Sequence, residues 1–346
     1  MIPFPARHRL AAAALAIALL AAVLGLAACG EKSESTTGTE RQAVSLTLDF
    51  YPNADHAGVY MAQKLGYFEE AGLDVSIEAP SDPAAPLQQV AAGKSDLAIS
   101  YEPEVVLAHE ERLPVTAVAA IVNQPLTAMI WLRKSGIKGV ADLKGRTVAY
   151  AGIPYQEAFL KTILARANLS LGDVKPANVG FGLVPALTGG SAEAMLGGYA
   201  NVEGVDLRER GKAPVITPVD ELGVPTYDEL VLVANRAELE SEPETVRLFI
   251  AALARGTVAA AEHPQEATEA VLAANDALEP KLAKAQVEAT LPLLDPSVAP
   301  GQPFGFMNPG EWDTFAGWMR DNGLIESLPK AGELLSNAYL PGEIPE

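Results

Sequence analysis

The sequence has 346 residues, 49% of them hydrophobic, with one cysteine, four histidines and a formal net charge of −19. A single cysteine allows no intramolecular disulfide. So acidic a surface repels phosphate backbones, which excludes nucleic acid as a partner.

Chain order begins with Arg7 and Arg9, followed by an unbroken apolar stretch from Leu10 to Leu26. These are the charged and apolar regions of a secretory signal. The segment Leu26-Ala27-Ala28-Cys29 then resembles the lipobox of bacterial lipoproteins. That resemblance implies a signal peptide over residues 1–28, lipid on the Cys29 thiol, and a mature chain anchored on the extracytoplasmic face of the cell membrane. Residues 30–43 are small, polar and non-periodic, so residues 29–43 are expected to be the anchor and a flexible tether.

Val44 to Phe50 alternates apolar and polar residues, the period of a strand, and Pro52-Asn53 breaks it. An apolar-periodic run from Ala57 to Phe68 predicts a helix ending near Gly72. Leu73–Ile77 predicts a second strand, Leu87–Ala92 the end of a second helix, and Leu97–Ser100 a third strand. Strands alternating with helices imply a largely parallel sheet covered on both faces. A second unit follows, with a strand ending at Ala151, a helix over Gln156–Ala167, a short helix over Leu183–Leu187 and a buried run at Ala194–Leu196. Gly93-Lys-Ser-Asp96 and Gly190-Ser-Ala-Glu193 both place a glycine and an acid between a helix and a strand, so the chain builds one supersecondary unit twice. Pro125–Trp131 and Asp228–Ala234 bracket the second unit and are expected to cross between lobes as the hinge. The alanine-rich stretches Glu244–Glu262 and Ala283–Leu291 are expected to return as helices over the first lobe.

Gly93-Lys94-Ser95 imitates the tail of a phosphate-binding loop, but Gln88 stands where that motif needs glycine, and the segment runs from helix into strand rather than the reverse. Beyond the signal, the histidines are only His56, His109 and His263, with no metal-ligand spacing. No G-x-S-x-G elbow or cysteine nucleophile is present, so covalent catalysis has no actor. Aromatic and polar residues instead gather just after strands. Asp49, Phe50, Tyr51, Asn53 and His56 follow the first, and Tyr101, Glu102 and Glu104 the third. Tyr155 and Glu157 follow the strand ending at Ala151, and Tyr199, Asn201 and Glu203 follow the run at Leu196. Any one of these is more often a capping or packing residue. Four groups at equivalent topological positions point instead to a cleft for a flat heteroaromatic ligand, which needs stacking faces and a few edge-fixing hydrogen bonds.

Leu48-Asp-Phe-Tyr-Pro-Asn53-Ala-Asp-His56-Ala-Gly58, Gly66-Tyr-Phe68, Gly93-Lys-Ser-Asp96, Leu143-Lys-Gly145 and Gly197-Gly-Tyr199-Ala-Asn201-Val-Glu203 resemble the bacterial solute-binding proteins for pyrimidine precursors of thiamine. These share a fold with thiamine-pyrimidine synthases and with riboflavin-binding importer components. The resemblance implies an α/β, two-lobe clamp of the type II periplasmic-binding-protein kind. Its first lobe would take residues 44–133, its second 134–229, and the return to the first 230–346. It also implies a monomer that serves an ABC permease and its ATPase, with no cofactor and no metal. Phe50, Tyr101, Tyr155 and Tyr199 become stacking candidates, while Glu203, Asp49 and Asn53 become edge-binding candidates, with His56 beside them. Ala200 stands where relatives often carry tryptophan, so riboflavin or another larger heterocycle is the alternative ligand. The synthases' cofactor lysine and substrate histidine align with Ser100 and Glu104, and no cysteine-rich iron segment exists. Without an amine for a Schiff base, an enzyme is not expected.

Overall fold

The computed structural model describes residues 41–294 and 302–342. The expected signal peptide, Cys29 and the tether as far as residue 40 lie outside them. Strand β1 (Gln42–Thr47) begins two residues before the alternating pattern suggested, because Gln42 and Ala43 pair in register with Leu73 and Asp74.

The first half then runs through a single 3-10 turn (Ala54–His56), α1 (Ala57–Lys64), α2 (Tyr67–Glu70), β2 (Leu73–Glu78), α3 (Pro86–Ala91), β3 (Leu97–Ser100), α4 (Glu102–Glu110) and β4 (Val115–Val122). The single helix expected over Ala57–Phe68 is thus two, interrupted at Gly66. The turn at Ala54–His56 is written into Pro52-Asn53-Ala-Asp-His: the Asn53 carboxamide oxygen accepts from Asp55 N, and His56 Nδ1 accepts from Asn53 N. This reciprocal cap satisfies amide groups that a helix start otherwise leaves unpaired.

The middle of the chain forms β5 (Thr127–Leu132), β6 (Thr147–Tyr150), α5 (Pro154–Arg166), β7 (Lys175–Asn178), α6 (Leu183–Gly189), β8 (Ala194–Tyr199), α7 (Glu203–Glu209) and β9 (Pro214–Pro218). The return comprises β10 (Leu230–Asn235), α8 (Arg236–Ser241), α9 (Pro243–Glu262), α10 (Pro264–Ala274), α11 (Pro280–Thr290), α12 (Pro309–Asp321) and α13 (Ala331–Leu334). Proline opens α3, α5, α9, α10, α11 and α12, where its fixed φ suits the first helical turn and its missing N–H has no intrahelical acceptor to lose.

Two sheets result, with the same plan. The first is ordered β2-β1-β3-β10-β4 and the second β7-β6-β8-β5-β9. In each, three parallel strands are followed by one antiparallel strand, β10 or β5, and then by an edge strand, β4 or β9, that runs with the first three. The internal repeat read from Gly93–Asp96 and Gly190–Glu193 has a physical basis. Asp96 accepts from the amide and hydroxyl of Ser45 on β1, and Glu193 accepts from Thr147 N on β6, so each acid ties its own strand to the neighbouring one. Gly93 (φ 64°) and Gly190 (φ 80°) make the left-handed turns that these acids follow, and Gly93-Lys94-Ser95 is such a turn rather than a phosphate loop.

The crossings correct two expectations. Thr127–Leu132 is β5, a central strand of the second sheet, so the chain leaves the first lobe within Asn123–Leu126 and not at residue 133. Leu230–Asn235 is likewise a central strand of the first sheet, and the return crossing lies ahead of it, up to Glu229. A strand buried on both faces carries an unbroken apolar run. Both Thr127–Leu132 and Leu230–Asn235 are buried at every position, which explains why such a run looked like an inter-lobe passage but is a core strand.

Helix α9 buries Val246, Phe249, Ile250, Leu253, Ala254 and Thr257, a helical stripe against α1 and α2 in which Phe249 stacks on Phe68 at 4.9 Å. At roughly 1.5–3 kcal/mol for each large side chain removed from water, this face accounts for much of that helix's attachment. Helix α11, expected over the first lobe, packs also on α7 of the second.

Candidate functional site

The ends of β1, β3, β6 and β8 converge on one small cavity. Asp49, Phe50 and Asn53 line it from the first strand, Tyr101 from β3, Ala151, Ile153, Tyr155 and Gln156 from β6, and Gly197, Tyr199, Val202 and Glu203 from β8. Seven of the eight residues singled out from sequence therefore share one space. Among the described residues, no lysine, arginine or histidine lines it.

His56 is the exception. It is fully buried behind the wall, with Nδ1 accepting from Asn53 N at 3.2 Å and Nε2 2.8 Å from Asp49 Oδ1. An Nδ1 that accepts leaves the proton on Nε2, so the neutral imidazole donates to Asp49. Tyr101 OH donates to the other Asp49 oxygen at 3.0 Å. His56 thus fixes Asp49, and Asp49 fixes Tyr101, whose ring lies 5.4 Å from that of Tyr155.

A residue absent from the sequence expectations organises the opposite side. Glu229, at the end of the second crossing, is fully buried and accepts from Leu126 N, Thr127 N and Tyr227 OH on one oxygen, each at 2.8 Å. Its other oxygen accepts from Thr127 Oγ1 at 2.9 Å, Tyr199 OH at 3.3 Å and Tyr155 OH at 3.5 Å. Both crossings and two cavity tyrosines are bound to a single carboxylate. Burial pushes that carboxyl above the ordinary range, while its amide and hydroxyl donors pull it back.

The remaining polar edges point to ligand chemistry. Glu203 opens α7 and accepts from Tyr199 N at 2.8 Å through one oxygen. Burial, opposed by that bond, pushes its carboxyl up to about 7. Gln156, also missed from sequence, accepts from Ala151 N at 2.9 Å, which directs its carboxamide nitrogen away from that bond. Gly197 (φ 95°) has no side chain where a Cβ would strike this nitrogen. The cavity thus offers tyrosine faces, a carboxyl acceptor and a carboxamide donor. Glu104, aligned above with the synthase histidine, instead accepts from Tyr155 N at 3.2 Å, and burial pushes its carboxyl up to about 7. Ser100 is buried in β3.

Across the mouth, Phe50 packs against Tyr51 at 4.6 Å and edge-on against Phe181 of the second lobe at 4.6 Å. Phe181 carries no local signal of this role, since it sits alone between β7 and α6.

Residues 53–267 match the model of the NMT1/THI5 like family. The chain is 36% identical to a formylaminopyrimidine-binding protein of Halalkalibacterium halodurans, over 93% of this chain and 97% of that one. It is 24% identical to a 4-amino-5-hydroxymethyl-2-methylpyrimidine phosphate synthase of Legionella pneumophila, over 87% of this chain and 93% of that one. Among solved structures, the alkanesulfonate-binding protein SsuA of Xanthomonas axonopodis pv. citri, bound to MOPS, superposes with a TM-score of 0.66 at 17% identity, covering 86% of this chain and 99% of that one. That likeness establishes the two-lobe fold of periplasmic binding proteins, as expected from the sequence. The chain belongs to the NMT1/THI5-like family.

Proposed function

We propose that this chain is an extracytoplasmic, Cys29-anchored lipoprotein that binds a pyrimidine precursor of thiamine and delivers it to an ABC permease and its ATPase. It acts as a monomer and is not itself an enzyme. The observation that carries the reading is the convergence of Tyr101, Tyr155 and Tyr199 with Glu203 and Gln156 on one small cavity. Tyrosine faces hold a flat ring by stacking and burial. The Glu203 carboxyl accepts from an exocyclic amino group, and the Gln156 carboxamide donates to a ring nitrogen or formyl oxygen. A cavity walled by acids and phenols, with no cation among the described residues, suits a neutral aminopyrimidine better than an anion.

Binding and release follow from the layout. Asp49, Phe50, Asn53 and Tyr101 belong to the first lobe, and Tyr155, Gln156, Tyr199 and Glu203 to the second. A ligand touching both favours the shut state by its differential affinity, and opening at the permease releases it. The chemistry of the site supports binding over turnover: neither Ser100 nor Glu104 supplies an amine, and Glu104 is engaged with a backbone amide.

Isothermal titration of the purified full chain with formylaminopyrimidine, hydroxymethylpyrimidine and riboflavin tests the reading. Saturable one-to-one binding of a pyrimidine is expected. Binding of riboflavin alone would overturn it in favour of the flavin alternative, which the small cavity disfavours because three fused rings and a ribityl chain require the lobes further apart.

A further inference from the structure

Among the polar contacts that join the lobes through buried atoms, one leaves oxygens on both sides without a partner. Asp55 lies on the turn Ala54–His56 of the first lobe, and Asn201 on the loop between β8 and α7 of the second. The Asn201 carboxamide nitrogen donates to Asp55 Oδ1 at 2.6 Å and to Thr290 Oγ1, at the end of α11, at 2.8 Å. Both residues are more than nine-tenths buried, at 3% and 4% exposure. Asp55 Oδ2 and Asn201 Oδ1 are enclosed without any hydrogen-bond partner. With Asp55 ionised, both are acceptors facing a shortage of donors, an arrangement that folded proteins avoid.

We propose that Asp55 and Asn201 form a proton-carrying latch, in which Asp55 is the neutral acid in the shut clamp and donates through Oδ2 to Asn201 Oδ1 while the amide donates back. One proton then satisfies both orphaned oxygens. Asp55 and Asn201 become positioning residues: they touch no ligand, but they hold the loop that carries Glu203 against the first lobe. Ligand capture, as proposed above, then takes up a proton.

The surroundings favour the acid form. Asp49, Glu203 and Glu229 face Asp55 with carboxyls, and Tyr51 with a phenol. His56 is committed to Asp49 and Asn53. On the helices packed nearby, Glu269 of α10 pairs with Lys64, Lys281 of α11 with Glu209, Lys284 with Glu288, and Asp206 of α7 with Arg210, while Arg208 of α7 and Glu266 of α10 form no ion pair among the described residues. Among the described residues no cation pairs with Asp55. Burial first, and the Asp49 carboxyl next, push Asp55 well above the usual carboxylate range, against the Asn201 hydrogen bond.

When the lobes part, Asp55 regains water and an ordinary acidity. Closure is favoured fully below that ordinary value, and the advantage is lost as pH rises through the raised value of the shut state. Between the two, affinity falls by up to about tenfold per pH unit.

Titration calorimetry of the full chain with formylaminopyrimidine, across pH and in buffers of different ionisation heat, reads both affinity and protons taken up. Because Glu203 also titrates near neutrality, the informative quantity is the difference between the native chain and Asp55→Asn, whose amide makes the same paired contact without a proton. The variant is expected to bind with about one proton less taken up and a slope shallower by up to about tenfold per pH unit. An unchanged slope and proton count would overturn the latch. Infrared difference spectra of the two ligand-free proteins, each held shut by a crosslink between Phe50→Cys and Phe181→Cys, which face each other across the lobes, provide a test independent of ligand. Loss of one protonated-carboxyl C=O band in Asp55→Asn is expected, and identical spectra would overturn the proposal. Failure of formylaminopyrimidine to bind at any pH would count against the proposed function alone, and the infrared comparison would still decide the latch.

Discussion

Replacing Glu229 tests how the crossings are joined to the cavity. In Glu229→Gln the carboxamide has a preferred orientation. The oxygen stays toward Leu126 N and Thr127 N, which can only donate, and the nitrogen turns toward Thr127, Tyr155 and Tyr199, whose hydroxyls can reverse and accept. The loss is then mainly that of charge-assisted bonds becoming neutral ones, about 1–2 kcal/mol. In Glu229→Ala both backbone amides and the Tyr227 hydroxyl lose their buried acceptor. At about 1–3 kcal/mol for each orphaned group, partly relieved by relaxation, the cost is about 3–5 kcal/mol. Urea denaturation of the full chain, with m held as a check on compactness, measures both. An alanine variant within 1 kcal/mol of the native chain, or one no worse than glutamine, would refute the assignment of Glu229 as the shared acceptor of both crossings.

Glu203→Ala is expected to weaken formylaminopyrimidine binding by about 1–3 kcal/mol in calorimetry, since a ligand amino group would lose its buried acceptor; unchanged affinity would remove Glu203 from the site. Gly197→Ala places a methyl group against the Gln156 carboxamide at a φ of 95°, and is expected to cost about 1–3 kcal/mol of stability and to weaken binding together with it. Stability should also respond to pH with a definite sign. Burial raises Glu203, Glu104 and Asp228 each to about 7, so their contribution is complete below the ordinary carboxylate values and is lost as pH rises through about 7. The urea midpoint is therefore expected to fall from pH about 5 to 8, and a rising midpoint would contradict these buried-acid assignments.

The doubled α/β plan was legible because period-two strands, proline-led helices and the paired glycine-to-acid turns are local signals. Asp96 and Glu193 even stand for a contact, each tying one strand to the next. The cavity was legible for a topological reason, since residues just past parallel strands of two like lobes must face each other. What sequence could not reveal depends on distance in the chain. Glu229 meets Leu126 and Thr127 across about a hundred residues, and looked like one acid among many. His56 was legible as a polar residue in the right loop, but which way its ring faces is decided by Asn53 N and Asp49 together. The run Thr127–Leu132 misled because complete burial within a sheet and passage between lobes both demand apolar residues. Gln156 was read as the start of a helix, and its turn toward the cavity follows from the Ala151 amide it caps.

The most direct measurement is a crystal structure of the full chain with formylaminopyrimidine. The ring is predicted between the faces of Tyr101, Tyr155 and Tyr199, with its amino edge within hydrogen-bond reach of Glu203 and contacts to both lobes. A ligand seated instead in the open groove of Gln88, Glu111 and Lys161, with the tyrosine cavity unfilled, would contradict the account.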